Sequence, residues 1–222
     1  MFLQLNTKRK PLLIIWISSL LILCFLFILL SYFAYQGEIE IDKLLMAWYQ
    51  DSFDSGVWIK AMEIVSFPGN GYNWAIAMGI TFAICIAFKK PSAGLLVLSS
   101  GVAYSLNFLL KELIQRARPL ATEVNVIGEA ESDFGFPSGH VTSYVALFGV
   151  IFLLATIYVK MIWLKRLLQV TSILLILLVG PSRMTLGMHW PSDVLAGCLF
   201  GSIFLLIGVP AFFIFHAREV AK

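Results

Sequence analysis

Six stretches of this chain are long and apolar enough to cross a bilayer, and that pattern restricts the fold more than any other feature. A hydrocarbon core about 30 Å thick takes roughly 20 apolar residues per helical crossing. Runs of that kind cover residues 11–35, 72–88, 92–110, 138–158, 167–181 and 193–215. Composition agrees, since 59% of the 222 residues are hydrophobic, 13% are charged and mean hydropathy is +0.88, outside the balance of a soluble domain. The expected fold class is all-α: a polytopic membrane protein with six transmembrane helices in one bundle, forming one domain over residues 1–222. The run over 167–181 is the shortest, so Lys165 and Arg166 are expected to snorkel. Lys8, Arg9 and Lys10 precede the first run as the basic region of a signal peptide would. That run is longer than the roughly 7–15 apolar residues of a signal sequence and no small-x-small cleavage site follows, so an uncleaved span is expected.

Ten of the sixteen Lys and Arg residues (Lys8, Arg9, Lys10, Lys89, Lys90, Lys160, Lys165, Arg166, Arg218 and Lys222) fall at ends that six crossings place on one side. By the bias of cations toward cytoplasmic loops, that side and both termini are expected to be cytoplasmic. The opposite side then holds the segment 36–70 and the acidic connection from Pro119 to Pro137. In the first of these, Ile41, Leu44, Leu45 and Trp48 recur at helical spacing and predict short helices on the outer surface. The net charge of +3 mixes two faces, and no cationic block is long enough for nucleic-acid binding. Cys24, Cys85 and Cys198 lie within apolar runs and read as small hydrophobes.

Four cations have no topological reason to be where they are. Lys111, Arg116, Arg118 and Arg183 sit at the outer ends of the third and fifth runs, where ionisable groups are costly and often line a functional cavity. In KELIQRARP, Lys111 and Arg118 are seven residues apart, about two turns, so both can address one point if the helix continues to Pro119. Arg116 projects elsewhere and reads as a headgroup or acidic-loop contact. In FPSGH, Ser138 suits an N-cap, Gly139 lets an anion approach the helix-start N–H groups, and His140 lies in the first turn. In SRMTLGMHWPSD, Arg183 offers a fork for phosphate. His189 and Asp193 are spaced so that the carboxylate can accept one imidazole N–H and leave the other nitrogen a free lone pair. A helix-capping Asp–His pair is the alternative.

Lys111 with Arg118 and Pro119, then Pro137 to His140, then Ser182 and Arg183 with His189 and Asp193, resemble the three-part signature of the type 2 phosphatidic acid phosphatase superfamily. In size the chain is similar to the bacterial phosphatidylglycerophosphatase B group within it. The resemblance implies that His189 is the nucleophile forming a phosphohistidine, that Asp193 orients its ring, and that His140 is first acid and then base. It further implies that Lys111, Arg118, Arg183 and the N–H groups of Ser138 and Gly139 bind the phosphate oxygens, with Ser182 as a possible accessory. No cofactor or metal is required on this account, since cations and a helix N-terminus neutralise the phosphate. Glu129, Glu131 and Asp133 lack the spacing of a calcium loop, and His216 reads as an interfacial residue.

The expected partner is a membrane lipid phosphate held in the bilayer; the resemblance implies phosphatidylglycerol phosphate first, with undecaprenyl diphosphate or phosphatidate as alternatives. An anion transporter or channel could use the same cations, but has no need of His189 paired with Asp193.

Overall fold

The computed structural model describes residues 10–37, 39–127 and 133–221. Lys8, Arg9, Glu129, Glu131 and Lys222, all used in the sequence argument, lie outside the described residues, as does the side chain of Lys10. Every regular element among the described residues is helical: α1 Lys10–Tyr35, α2 Glu40–Ser52, α3 Gly56–Ser66, a 3-10 turn Phe67–Gly69, α4 Gly71–Ala87, α5 Pro91–Ile114, α6 Gly139–Tyr158, α7 Ile162–Thr185 and α8 Pro191–Val220. Five of these (α1, α5, α6, α7 and α8) are each long and apolar enough to span a membrane. The sixth crossing is counted only if Gly56–Gly69 and Gly71–Ala87, bent by 58° at their junction, are taken as one broken span. This is a multi-pass membrane protein.

Two helix ends differ from expectation. The third run does not stay helical as far as Pro119. It stops at Ile114, where Gln115 takes a left-handed backbone (φ 52°) and donates its N–H to the Lys111 carbonyl as the C-cap, a standard way to end an α-helix. Arg116 and Arg118 therefore leave the bundle on a non-helical strand of chain. The fifth run extends past Pro181 to Thr185, which places Ser182 and Arg183 inside the last turn of α7. Pro181 has no N–H for the Leu177 carbonyl one turn back, and the Tyr49 hydroxyl donates to the Pro181 carbonyl at 3.1 Å.

Helix α6 is the centre of the bundle, packing on α5, α7 and α8. Its seam with α8 depends on two glycines one turn apart. A Cβ at Gly197 would lie 2.8 Å from the Ser138 carbonyl oxygen and 2.9 Å from the Val141 Cβ, and one at Gly201 would lie 2.8 Å from the Val145 Cβ. Small residues at this spacing let two membrane helices approach until their backbones touch. Above the seam, α4, α5, α6 and α8 share the core of Trp74, Leu96, Val97, Leu147, Val150 and Phe212. Helix α1 attaches through Phe27, which stacks on Phe200, and through Trp16, whose indole N–H donates to the Leu206 carbonyl.

The segment between α1 and α4 forms helices, and α2 leaves Ile41, Leu44, Leu45 and Trp48 exposed. Its other face is bound into the protein: Asp42, Met46 and Tyr49 are buried. Helix α3 docks on the end of α7, where Trp58 Nε1 donates to Thr185 Oγ1 at 3.0 Å, and Tyr144 ties the Val65 carbonyl to α6.

Replacing Gly197 with valine should drive α8 off α6, because two methyl groups have no place beside Val141. We expect a loss of about 1–3 kcal/mol, as for overpacked cores, read as a fall of several degrees in the thermal unfolding midpoint in detergent. An unchanged midpoint would show that the seam is looser than described.

Candidate active site

Antiparallel crossings bring the C-terminal ends of α5 and α7 and the N-terminal ends of α6 and α8 to one end of the bundle. Lys111, Arg118, Ser138 to His140, Arg183, His189 and Asp193 all lie there. A cavity of about 190 Å³ opens at that end, lined by Asn70, Asn107, Lys111, Asp133, His140 and His189 among others.

His189 is fully buried in the short link between α7 and α8. Its Nε2 is 3.0 Å from an Arg118 guanidinium nitrogen. Since a guanidinium only donates, Nε2 is the accepting nitrogen and Nδ1 carries the proton, an assignment fixed by partners rather than by a seen hydrogen. Nδ1 is 3.7 Å from Asp193 Oδ2, beyond a hydrogen bond, and has no other hydrogen-bond partner. The carboxylate is occupied elsewhere: Oδ2 accepts from the Trp190 backbone N–H at 2.9 Å and Oδ1 from Arg116 at 2.6 Å. Asp193 thus stands beside the ring without bonding to it, and also closes the first turn of α8. Burial, reinforced by the charges of Arg118, Arg183 and Lys111, holds the His189 pKa well below the usual histidine range, so the ring is neutral at pH 7.

The other histidine is set by the break before α4. His140 Nε2 lies 3.3 Å from Asn70 Oδ1, and its ring presses on Gly69, where a Cβ would come within 2.3 Å of Cδ2. The turn FPGNG at residues 67–71 therefore shapes the cavity wall through Gly69, Asn70 and Gly71. Asn107 is a second contributor without a sequence signal. Its side chain donates to Thr142 Oγ1 at 2.9 Å, and its Oδ1 faces Gly139, leaving a Cβ there only 3.3 Å away.

The helix start differs from a simple anion nest. Ser138 occupies the N-cap, yet its backbone N–H donates to the Asp193 carbonyl at 3.0 Å, so that amide is taken. Its hydroxyl makes no capping bond and is buried without a partner. Ser182 directs its hydroxyl back to the Val179 carbonyl at 2.7 Å, away from the cavity. Arg183 is buried and donates to Ser66 Oγ at 2.8 Å, joining α7 to α3.

Lys111 and Arg118 converge on one anion. Asp133 bridges them, one carboxylate oxygen on the Lys111 ammonium and the other 2.5 Å from the Arg118 guanidinium. Burial alone raises the Asp133 pKa, but hydrogen bonds and charge from the two cations outweigh it and hold it below the ordinary aspartate range. Arg116, expected at a headgroup or an acidic loop, is instead 6% exposed and clamped between Asp42 and Asp193, at 2.6 Å from each. The reason is the early end of α5, which turns its side chain inward.

A family model described as the PAP2 superfamily matches residues 92–216, a span that holds every residue of the three motifs. The chain belongs to the PAP2 superfamily. It is similar to the undecaprenyl-diphosphatase of Sulfolobus acidocaldarius, at 29% identity over 64% of each chain. It is also similar to phosphatidylglycerophosphatase B of Bacillus subtilis, at 33% identity over 54% of this chain and 58% of the relative; both matches thus cover less than two thirds of the relatives' length. In fold it matches the crystal structure of a transmembrane PAP2-type phosphatidylglycerolphosphate phosphatase from Bacillus subtilis, with a TM-score of 0.73, 24% identity, and coverage of 86% of this chain and 94% of that one.

His189 should titrate well below pH 6.5 in the folded protein, followed by NMR of labelled histidine with His189→Gln to assign the resonance. Because the unfolded chain binds that proton more readily, the stability linked to this ring is complete above the unfolded value. It is lost as pH falls toward the folded one. A folded value at or above 6.5 would contradict the buried, cation-flanked setting.

Proposed function

We propose that the protein is a metal-independent lipid phosphatase that cleaves a phosphate ester or anhydride through a phosphohistidine at His189. The observation that carries this reading is the convergence of Lys111 and Arg118 on a single carboxylate, beside an imidazole held neutral. A carboxylate in such a cradle occupies the place of phosphate oxygens.

In this mechanism the substrate phosphate replaces Asp133 on Lys111 and Arg118. Arg118 turns from Nε2 to a phosphate oxygen and frees the lone pair. Nε2 then attacks phosphorus, the P–O bond to the leaving group breaks, and His140 gives that oxygen its proton. In the second step water attacks phosphorus, His140 takes the water proton, and the P–N bond breaks. Arg183 adds positive charge behind both rings, the Ser138 hydroxyl and the helix start at Gly139 hold further oxygens, and Asp193 stabilises the ring while it carries charge. Ser182 contributes packing to the last turn of α7.

Cations at the end of the bundle away from the cavity (Lys89, Lys90, Lys160, Lys165, Arg166 and Arg218) support a cytoplasmic position for that end and an extracytoplasmic active site. Phosphatidylglycerol phosphate is the substrate we place first, after the Bacillus subtilis relatives. Undecaprenyl diphosphate is second, after the Sulfolobus relative.

Purified protein in detergent micelles should release inorganic phosphate from at least one of these lipids with EDTA present. His189→Ala should abolish it by about three orders of magnitude or more, as expected for a covalent nucleophile. Absence of release from every lipid phosphate, or full release by the alanine variant, sinks the reading and favours an anion pathway. Asp133→Asn should lower KM severalfold by removing the competing charge; a raised KM would show instead that Asp133 organises the cradle.

A further inference from the structure

A deeply buried charged cluster joins Asp193 of the third motif to two residues that are not motif positions, Arg116 and Asp42. Arg116, Asp42 and Asp193 are 6%, 2% and 0% exposed. Arg116 donates to Asp193 Oδ1 and to Asp42 Oδ2, both at 2.6 Å, and to Ser192 Oγ at 2.6 Å. Asp42 reaches across from α2 to the start of α8, accepting from the Ser192 backbone N–H at 2.8 Å and from its hydroxyl at 2.5 Å. Two carboxylates share one guanidinium, so the cluster keeps one negative charge, and that charge lies against His189 through Asp193 Oδ2.

Desolvation offsets much of the attraction between charges so deeply buried, so their stabilising effect alone is a weak account of the cluster. A simple Arg116–Asp193 pair would be neutral and would hold Asp193 in place while cancelling its field at the imidazole. The second carboxylate alters that balance. We propose that Asp42 and Arg116 are positioning residues for the phosphatase reaction: Arg116 fixes Asp193 over the His189 ring, and Asp42 offsets Arg116 so that Asp193 keeps its negative charge for the ring. This rests on the phosphohistidine reading above. It also gives the outer segment a part in the chemistry, because Asp42 stands on a surface helix rather than on a spanning one.

The field at His189 has other contributors. Lys111, Arg118, Arg183 and His140 act on the ring as positive or ionisable neighbours, and Asp133 lines the same cavity. None of these contacts Asp42, so substitution there changes one charge and leaves the phosphate cradle intact. Asp42→Asn is nearly isosteric, and its carbonyl can still accept from Arg116 or Ser192. With the charge gone, the Arg116–Asp193 pair becomes neutral, and a cationic ring at His189 loses its support.

The experiment compares parent, Asp42→Asn, Asp42→Glu and Arg116→Lys proteins in detergent, each checked for a single gel-filtration peak and a thermal midpoint near the parent's. Phosphate release is measured against pH, and His189 is titrated by NMR in parent and Asp42→Asn. Asp42→Asn should lower kcat about tenfold or more with KM within about threefold, since the lost charge acts mainly on the transition state. The acid limb of kcat/KM and the NMR titration of His189 should both move to lower pH by about half a unit or more. Asp42→Glu should recover part of kcat, and Arg116→Lys, with a point charge in place of a fork, should fall between parent and Asp42→Asn.

Unchanged kcat and an unmoved acid limb in Asp42→Asn overturn the proposal, as does a loss of activity that merely tracks a lower thermal midpoint. Should the parent release no phosphate from any lipid, the phosphatase reading fails. The NMR titration then decides the charge relation alone: an equal His189 pKa in the two proteins overturns it and a lower one in the variant upholds it.

Discussion

The contact of α6 with α8 at Gly197 and Gly201 is the constraint on which the rest of the structure depends. Backbone-to-backbone approach there brings the first turn of α6 against the first turn of α8, and the Ser138 N–H bonds to the Asp193 carbonyl as a direct result. That bond fixes His140 and His189 relative to one another across a single cavity. A wider seam would leave both helices intact and the two rings apart.

Around this seam, charge compensation follows a consistent logic. Lys111 lines the cavity and shares the partly exposed carboxylate of Asp133 with Arg118. Arg116, two residues from Arg118, faces away and is sealed between Asp42 and Asp193. The left-handed Gln115 separates the two arrangements by ending α5 before either arginine. One short irregular stretch thereby supplies both a partly exposed ion pair and a buried one.

Much of this was legible in the sequence. The apolar runs located the spanning helices to within a few residues at most ends, because hydrophobic length is nearly all that a membrane asks of a helix. The motif residues were legible as a group, since Lys111, Arg118, His140, Arg183, His189 and Asp193 have chemistry that lipid does not tolerate without a reason. Less legible were features that depend on tertiary contact. Nothing in KELIQRARP announces that Gln115 will adopt a positive φ and turn Arg116 inward. Asp42 resembles any acidic residue in the first turn of a surface helix, Asn70 any residue of a tight turn, and Ser138 a helix cap whose hydroxyl should be engaged. Their settings depend on what stands opposite them, at separations of 55 to 150 residues.

The matched family region begins at residue 92, yet Gly69 and Asn70 line the cavity and Asp42 bonds to the start of α8 from before it. Helix α1, by contrast, touches the bundle along a narrow line and presents most of its apolar side chains outward. Its sequence is consequently free to drift among leucine, isoleucine and phenylalanine, whereas one added methyl at Gly197 already lacks space. Selection on this molecule is therefore expected to be sharply graded across the bilayer plane, permissive at the α1 edge and strict at the α6–α8 centre.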